Sequence, residues 1–286
     1  VDCVKDFREI TSSKDIDVVA IVTPVFTHFE IARDALINGK HIFIEKPFTS
    51  SAAQAEELIN LAQKKNLVIM VDHTFLFTGA VKKIKQLIDE NELGNVLYFD
   101  STRINLGLFQ HDVNVVWDLA PHDLSIMDYL LNKKPVAVSA HGIDHFERKL
   151  HNIAYLTVYF QENLMAHFNL NWLSPVKVRH TLIGGSKKML AWNDIELDEK
   201  IKIYDKGVDV TTKEGLYNLL VSYRSGDMYS PKVDSLEALK IEAEYFVNCI
   251  SNGKTPFNDG VAGLKVVKLL EAFDKSLISN ERITKI

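Results

Sequence analysis

The sequence predicts an α/β fold in two parts: half of a doubly wound parallel sheet, then an α+β domain on a large, open, mostly antiparallel sheet. Three observations point there. Up to residue 75, short apolar and β-branched runs alternate with segments of helical period. Beyond residue 96, strand-like runs follow one another with few intervening helices, which means an antiparallel sheet. Residues 236–251 and 261–279 return to helical period.

Residues 16–23 form an apolar, β-branched run ended by Pro24, which suits a parallel strand buried on both faces. Over 27–38, Phe29, Ile31, Ala32, Ala35, Leu36 and Ile37 recur at near-helical spacing, and Gly39 stands where the chain leaves the helix. His41-Ile42-Phe43-Ile44 reads as the second strand. Thr49 or Ser50 caps the next helix, which runs through Ala52, Ala55, Leu58, Ile59 and Ala62. A third strand at 67–71 completes a β-α-β-α-β pattern. Residues 79–91 place Val81, Ile84, Leu87 and Ile88 on one helical face. Residues 96–106 alternate like a half-buried strand. A helix covers 118–131, and its start falls at 117–120 because proline is tolerated only in a first turn. Strand-like runs follow near 136–143, 153–160, 164–173, 177–184, 187–192 and 200–212, while 213–233 reads as a loop. The expected domains are 1–75 and 76–286, with the last helices free to pack back on the first.

The 286 residues carry a net charge of −5, which offers no basic field for nucleic acid. No apolar run approaches the ~18 residues of a membrane helix, and no signal-peptide pattern is visible. Cys3 and Cys249 are too few for a disulfide framework, so a reducing cytoplasm is the expected compartment and both read as packing residues.

Glu45-Lys46-Pro47 closes the second strand. Parallel strand ends are where open α/β sheets take their ligands. A lysine there donates hydrogen bonds, stabilises negative charge or shuttles a proton. Alone, the motif reads as a surface lysine before a turn proline. Thr23-Pro24 and His28 follow the first strand, and Asp72-His73 ends the third. These suit a ligand edge, though an ordinary turn and an exposed strand end account for them equally. Asp118 and His122 lie four apart. On a helix they share a face, where a carboxylate favours a charged imidazole and fixes its tautomer. The competing reading makes Asp118 an N-cap. A metal set from His111, Asp118, His122 and Asp123 matches no defined ligand spacing, so no metal is expected. Trp172, Lys177 and Arg179 combine a stacking face with charge suited to a phosphate, or form a hairpin with solvated bases. Arg103 and Asn105 point to one face of their strand.

Together these stretches resemble the Gfo/Idh/MocA oxidoreductase family. They are Ala20-Ile21-Val22-Thr23-Pro24 with His28, then Gly39-Lys40-His41-Ile42-Phe43-Ile44-Glu45-Lys46-Pro47, then Val71-Asp72-His73, Glu92-Leu93-Gly94-Asn95-Val96, and the Asp118/His122 pair. The resemblance implies a Rossmann-type domain, then a domain whose open sheet makes homodimer or homotetramer contacts. It implies an NAD(P)-dependent dehydrogenase acting on a sugar or nucleotide sugar, with no nucleic-acid or membrane partner. Lys46, Asp118 and His122 are the implied catalytic residues. Thr23, Pro24, His28, Glu45, Lys46 and His73 are implied for NAD or NADP, and Arg103, Asn105, Trp172, Lys177 and Arg179 for substrate. Asn105-Leu106-Gly107 and the 172–179 segment are most similar to the nucleotide-sugar dehydrogenases that oxidise C3 of UDP-N-acetylglucosamine-type sugars. The departure is at the start. The chain opens at Val1 and contains no Gly-x-Gly-x-x-Gly, so on the order of 60 residues of the family's first strands are missing. The expectation is a partial Rossmann sheet with an exposed apolar edge and weak or absent cofactor binding. A ligand-sensing member of the same fold and an inactive fragment stand as the competing readings.

Overall fold

The computed structural model describes residues 2–107, 109–146, 150–210, 221–235, 237–279 and 283–286. Its helices are α1 (Phe7–Thr11), α2 (Val25–Ile37), α3 (Ala52–Lys65), α4 (Gly79–Asp89), α5 (Val115–Leu131), α6 (Ala238–Ser251) and α7 (Gly260–Ser279). Its strands are β1 (Val18–Ile21), β2 (His41–Glu45), β3 (Ile69–Asp72), β4 (Val96–Leu106), β5 (Pro135–Ile143), β6 (Ile153–Phe160), β7 (Met165–Asn171), β8 (Leu173–Gly185), β9 (Met189–Asn193), β10 (Ile201–Val210), β11 (Val221–Tyr229) and β12 (Thr284–Lys285). They form two compact units: Val1–Phe77 with Glu237–Asp274, and Thr78–Leu236 with Lys275–Ile286.

In the first unit β1, β2 and β3 pair in parallel in that order. The strand over 16–23 was expected to be buried on both faces, but β1 buries only Val19 and Ile21 and leaves Val18 and Ala20 exposed. Among the described residues β1 has β2 as its single neighbour, so one face and one edge stay open. α2 buries Ala32, Ala35 and Leu36 and ends at Ile37, with Asn38 as its C-cap. The Gly39 N–H bonds the Leu36 carbonyl (3.1 Å) and the Lys40 N–H bonds the Ala35 carbonyl (2.9 Å). Closing the helix this way needs the φ of +78° that glycine supplies without strain. The cap of α3 is Ser51, not Thr49 or Ser50: its oxygen accepts from the Gln54 N–H, and the Gln54 side chain takes the Ser50 N–H. Thr49 donates instead to the Ser51 carbonyl (2.8 Å). Within this unit α7 approaches β3 closely; a Cβ on Gly263 would stand 2.7 Å from a Val71 methyl.

The second unit's described sheet has nine strands in the order β11-β10-β9-β8-β4-β7-β6-β5-β12. Its neighbours are antiparallel except β4 and β7, which run parallel. Alternation along β4, β6 and β7 puts Phe99, Leu156 and Phe168 in the core. α5 lies on that face and buries Val115, Val116, Ala120, Leu124, Met127 and Leu130. Two expectations are corrected here. α5 starts at Val115, capped by Asn114, whose side chain accepts from the N–H groups of Val116 (3.0 Å) and Trp117 (3.1 Å). Pro121 is therefore interior. The burial of α5 outweighs the one backbone donor that proline cannot supply. The 213–233 loop is also wrong in part: Val221–Tyr229 is β11, paired with β10, while 211–220 lie outside the described residues.

Candidate active site

The first unit gathers one group of candidates at the carboxyl ends of its parallel strands. Register pairs Ile21 with Ile44 and Glu45 with Asp72, so the segments after β1, β2 and β3 emerge side by side. His28, in the first turn of α2, ties two of them together. Its Nε2 meets the Thr23 carbonyl at 2.8 Å, and its Nδ1 meets the Pro47 carbonyl at 3.0 Å. Burial holds its pKa below the ordinary imidazole value, although those carbonyls work to raise it. Both ring nitrogens are thus committed to backbone. The Thr27 hydroxyl donates to the Pro24 carbonyl and is left to accept from Thr23 (2.7 Å). The Lys46–Pro47 peptide is cis.

Around Lys46 the chain places several acids. Glu45 Oε2 accepts the Lys46 N–H at 2.9 Å. Burial and then the charge of Asp72 push Glu45 up to about 7, against the pull of Lys46. Asp72 is buried and accepts from the N–H (3.1 Å) and hydroxyl of Thr74. His73 is 2% exposed, and burial lowers it to about 4, so it is neutral at pH 7. Glu242 of α6 accepts the His73 N–H (3.2 Å) and the Asn258 side-chain amide (3.0 Å). Glu242 was not foreseen. With Phe246 and Cys249 it occupies the buried stripe of α6 at i, i+4 and i+7, a signal the sequence does carry.

The second unit holds the other group. Asp118 and His122 are both in α5, one turn apart, and Asp118 is not the N-cap. Asp118 Oδ2 accepts from the indole N–H of Trp172 at 3.1 Å. Trp172 is buried, sits between β7 and β8, and is fixed through its N–H to the Asn152 carbonyl (3.0 Å) and its carbonyl to the Gly107 N–H (3.1 Å). The Phe109 ring packs 5.5 Å from it.

The other substrate candidates divide. Arg103 is buried and makes two bonds to Asp123, at 2.8 and 2.9 Å, so its guanidinium serves the core of this unit. Arg179 faces Asp194 at 3.4 Å. Lys177 is exposed, and Asn105 is half-buried beside Gly107. Among the described residues no cluster of three or more side chains has the makings of a metal site, and no helix is long and apolar enough to cross a membrane.

Two family models match the chain: "Oxidoreductase family, NAD-binding Rossmann fold" over residues 1–73 and "GFO/IDH/MocA C-terminal domain" over residues 81–191. UDP-N-acetylglucosamine 3-dehydrogenase of Acidithiobacillus ferrooxidans is 29% identical over 256 residues, covering 88% of this chain and 76% of that protein. The scyllo-inositol 2-dehydrogenase (NAD(+)) of Bacillus subtilis is 24% identical over 265 residues, covering 88% and 72%. A solved structure of the Acidithiobacillus enzyme superposes with a TM-score of 0.78 at 25% identity, covering 95% of this chain and 81% of that one. Levoglucosan dehydrogenase in complex with NADH and levoglucosan reaches 0.82 at 20% identity over 99% and 84%, a likeness of fold.

Proposed function

The chain belongs to the Gfo/Idh/MocA oxidoreductase family, and from that premise we propose that it oxidises a secondary hydroxyl of a nucleotide sugar, at C3 of a UDP-N-acetylglucosamine-type substrate, with NAD as hydride acceptor. The observation that carries the reading is Lys46 at the carboxyl end of the middle parallel strand, one residue past the Glu45–Asp72 register pair. The residues present suit the nicotinamide end of the cofactor. Thr23, Pro24, Lys46 and His73 stand at the strand ends, and both buried ring nitrogens of His73 lack a hydrogen-bond partner, which leaves polar capacity for a bound amide. When bound, NAD⁺ takes the hydride from the carbinol carbon.

The chain's own side chains do the rest. His122 accepts the hydroxyl proton as the general base. Asp118, one helical turn away, orients the imidazole, and Trp172 holds Asp118. Lys46 donates a hydrogen bond to the reacting oxygen and steadies the charge that builds there. Lys177 is the exposed cation proposed to meet the substrate diphosphate; Arg103 is left out of the substrate set because Asp123 engages it. We further propose a homo-oligomer through the open face of the second unit's sheet. Tyr155, Met165 and Leu182 are 48%, 46% and 37% exposed there.

Mixing the protein with NAD⁺ and UDP-N-acetylglucosamine is expected to produce NADH, and a panel of free sugars to react more slowly. His122→Ala is expected to lower kcat roughly 10²-fold or more. Binding of the nucleotide sugar with no hydride transfer from any substrate would instead make the protein a ligand sensor on this fold.

A further inference from the structure

Four buried polar atoms without a hydrogen-bond partner lie together near the end of β3: both ring nitrogens of His73, Oε2 of Glu242 and Oδ1 of Asn258. Buried polar atoms are nearly always partnered, so such a concentration requires a cause. Three carboxyl groups meet there from three elements. Glu45 ends β2, Asp72 ends β3 opposite it, and Glu242 comes from α6. Glu242 Oε1 already takes two donors, the His73 N–H and the Asn258 amide. That amide cannot be turned over, because its nitrogen also donates to the Val71 carbonyl at 2.8 Å. No group donates to Oε2. A fully buried carboxylate oxygen facing another acid, with nothing to accept, is accounted for by a proton of its own. Burial and then the charge of Asp72 push Glu242 up to about 9, in agreement with the geometry. Glu45, half-buried, is the member of the row in reach of solvent and of the Lys46 charge.

We propose that Glu45, Asp72 and Glu242 form one proton-holding carboxyl row beside Lys46, and that Glu45, its outer member, is the titrating counter-ion that positions the Lys46 ammonium. The charged or titratable groups that bear on the row are Lys46 from the end of β2, His73 after β3, and the three carboxyls themselves. Glu45 is a positioning residue here. With its proton gone its charge holds Lys46; with the proton on, the row is neutral at that end and that pull on the ammonium is gone. Only the use of this device in catalysis rests on the dehydrogenase reading.

The test needs neither cofactor nor substrate. The infrared band of a protonated carboxyl is expected in the folded protein at pH 7, and Glu242→Gln is expected to remove its larger part and leave only the share that titrates with Glu45. Lysine methyl groups introduced by reductive methylation give an NMR signal for Lys46, identified by its absence in Lys46→Arg. That signal is expected to shift through pH 7 in the wild type and to stay flat in Glu45→Gln. A carboxyl raised on folding holds its proton more tightly in the native state, so its contribution falls as pH rises. Folding of the first unit, read by protection of the buried Cys249 thiol in urea, is therefore expected to weaken from the ordinary carboxylate range up through about 9. Glu242→Gln is expected to flatten that slope. If Glu242→Gln does not fold, Asp72→Asn serves, because removing that charge should shift the Lys46 inflection to lower pH. No protonated carboxyl in the wild type at pH 7, or a Lys46 signal that ignores Glu45→Gln, overturns the proposal. Loss of turnover with both signatures intact would count against the dehydrogenase reading instead.

Discussion

Replacing Asp123 with alanine isolates the Arg103–Asp123 pair, the most deeply buried of the second unit's described ion pairs. The two side chains are 8% and 4% exposed and joined by two bonds. Removing Asp123 takes away the carboxylate that receives two bonds from the buried guanidinium and leaves only the weaker pull of Asp194 and Asp118. The cost of such a stranded charge is about 3–5 kcal/mol, far above the ~1 kcal/mol or less of an exposed pair. Asp123→Asn keeps the shape and one acceptor, so its cost is expected to be smaller. Arg103→Met with Asp123→Leu removes both charges together and is expected to fall within roughly 2 kcal/mol of wild type, because desolvating the pair offsets most of its attraction. Urea unfolding followed by tryptophan fluorescence measures this cleanly. The chain's three tryptophans, Trp117, Trp172 and Trp192, all belong to the second unit. The reasoning fails if Asp123→Ala shifts the midpoint no more than a surface substitution, or if the double variant is as unstable as the single one.

Other expectations concern the proposed chemistry. Trp172→Phe retains an aromatic ring against Phe109 but removes the donor to Asp118; kcat is expected to drop about tenfold with KM little changed, and an unaltered kcat would remove Trp172 from the positioning role. Lys46→Ala is expected to lower kcat more than it raises KM, since its charge matters most in the transition state, and a pure KM effect in steady-state assays would contradict that. Light scattering of the purified protein is expected to give at least a dimer mass, and Met165→Glu on the open sheet face to reduce it; a monomer at all concentrations would exclude the proposed interface.

The chain's sequence alone determined the order and type of most elements, because their signals are local. Period-2 and period-3.6 patterns, Gly39 after α2 and the strand-end placement of Lys46 follow from residues within one turn or one strand of each other. The i, i+4 relation of Asp118 and His122 is local too, and needed only that both be helical. Where two local rules competed, the tertiary structure chose. Proline preference set the start of α5 at 117–120, yet the Asn114 cap and the burial of Val115, Val116 and Trp117 begin it at Val115. Local pattern also missed β11, whose register comes from β10. What no local rule reaches is which side chains meet across the chain. Asp118 meets Trp172 at a separation of 54 residues, Arg103 meets Asp123 at 20, and the His73 N–H meets Glu242 at 169. Those meetings decide that Arg103 is a core ion rather than a substrate contact, and they bring Glu242 to the strand-end residue His73 that the sequence had already singled out. Charge in a low-dielectric interior depends on its neighbours and on burial, and both are properties of the folded chain.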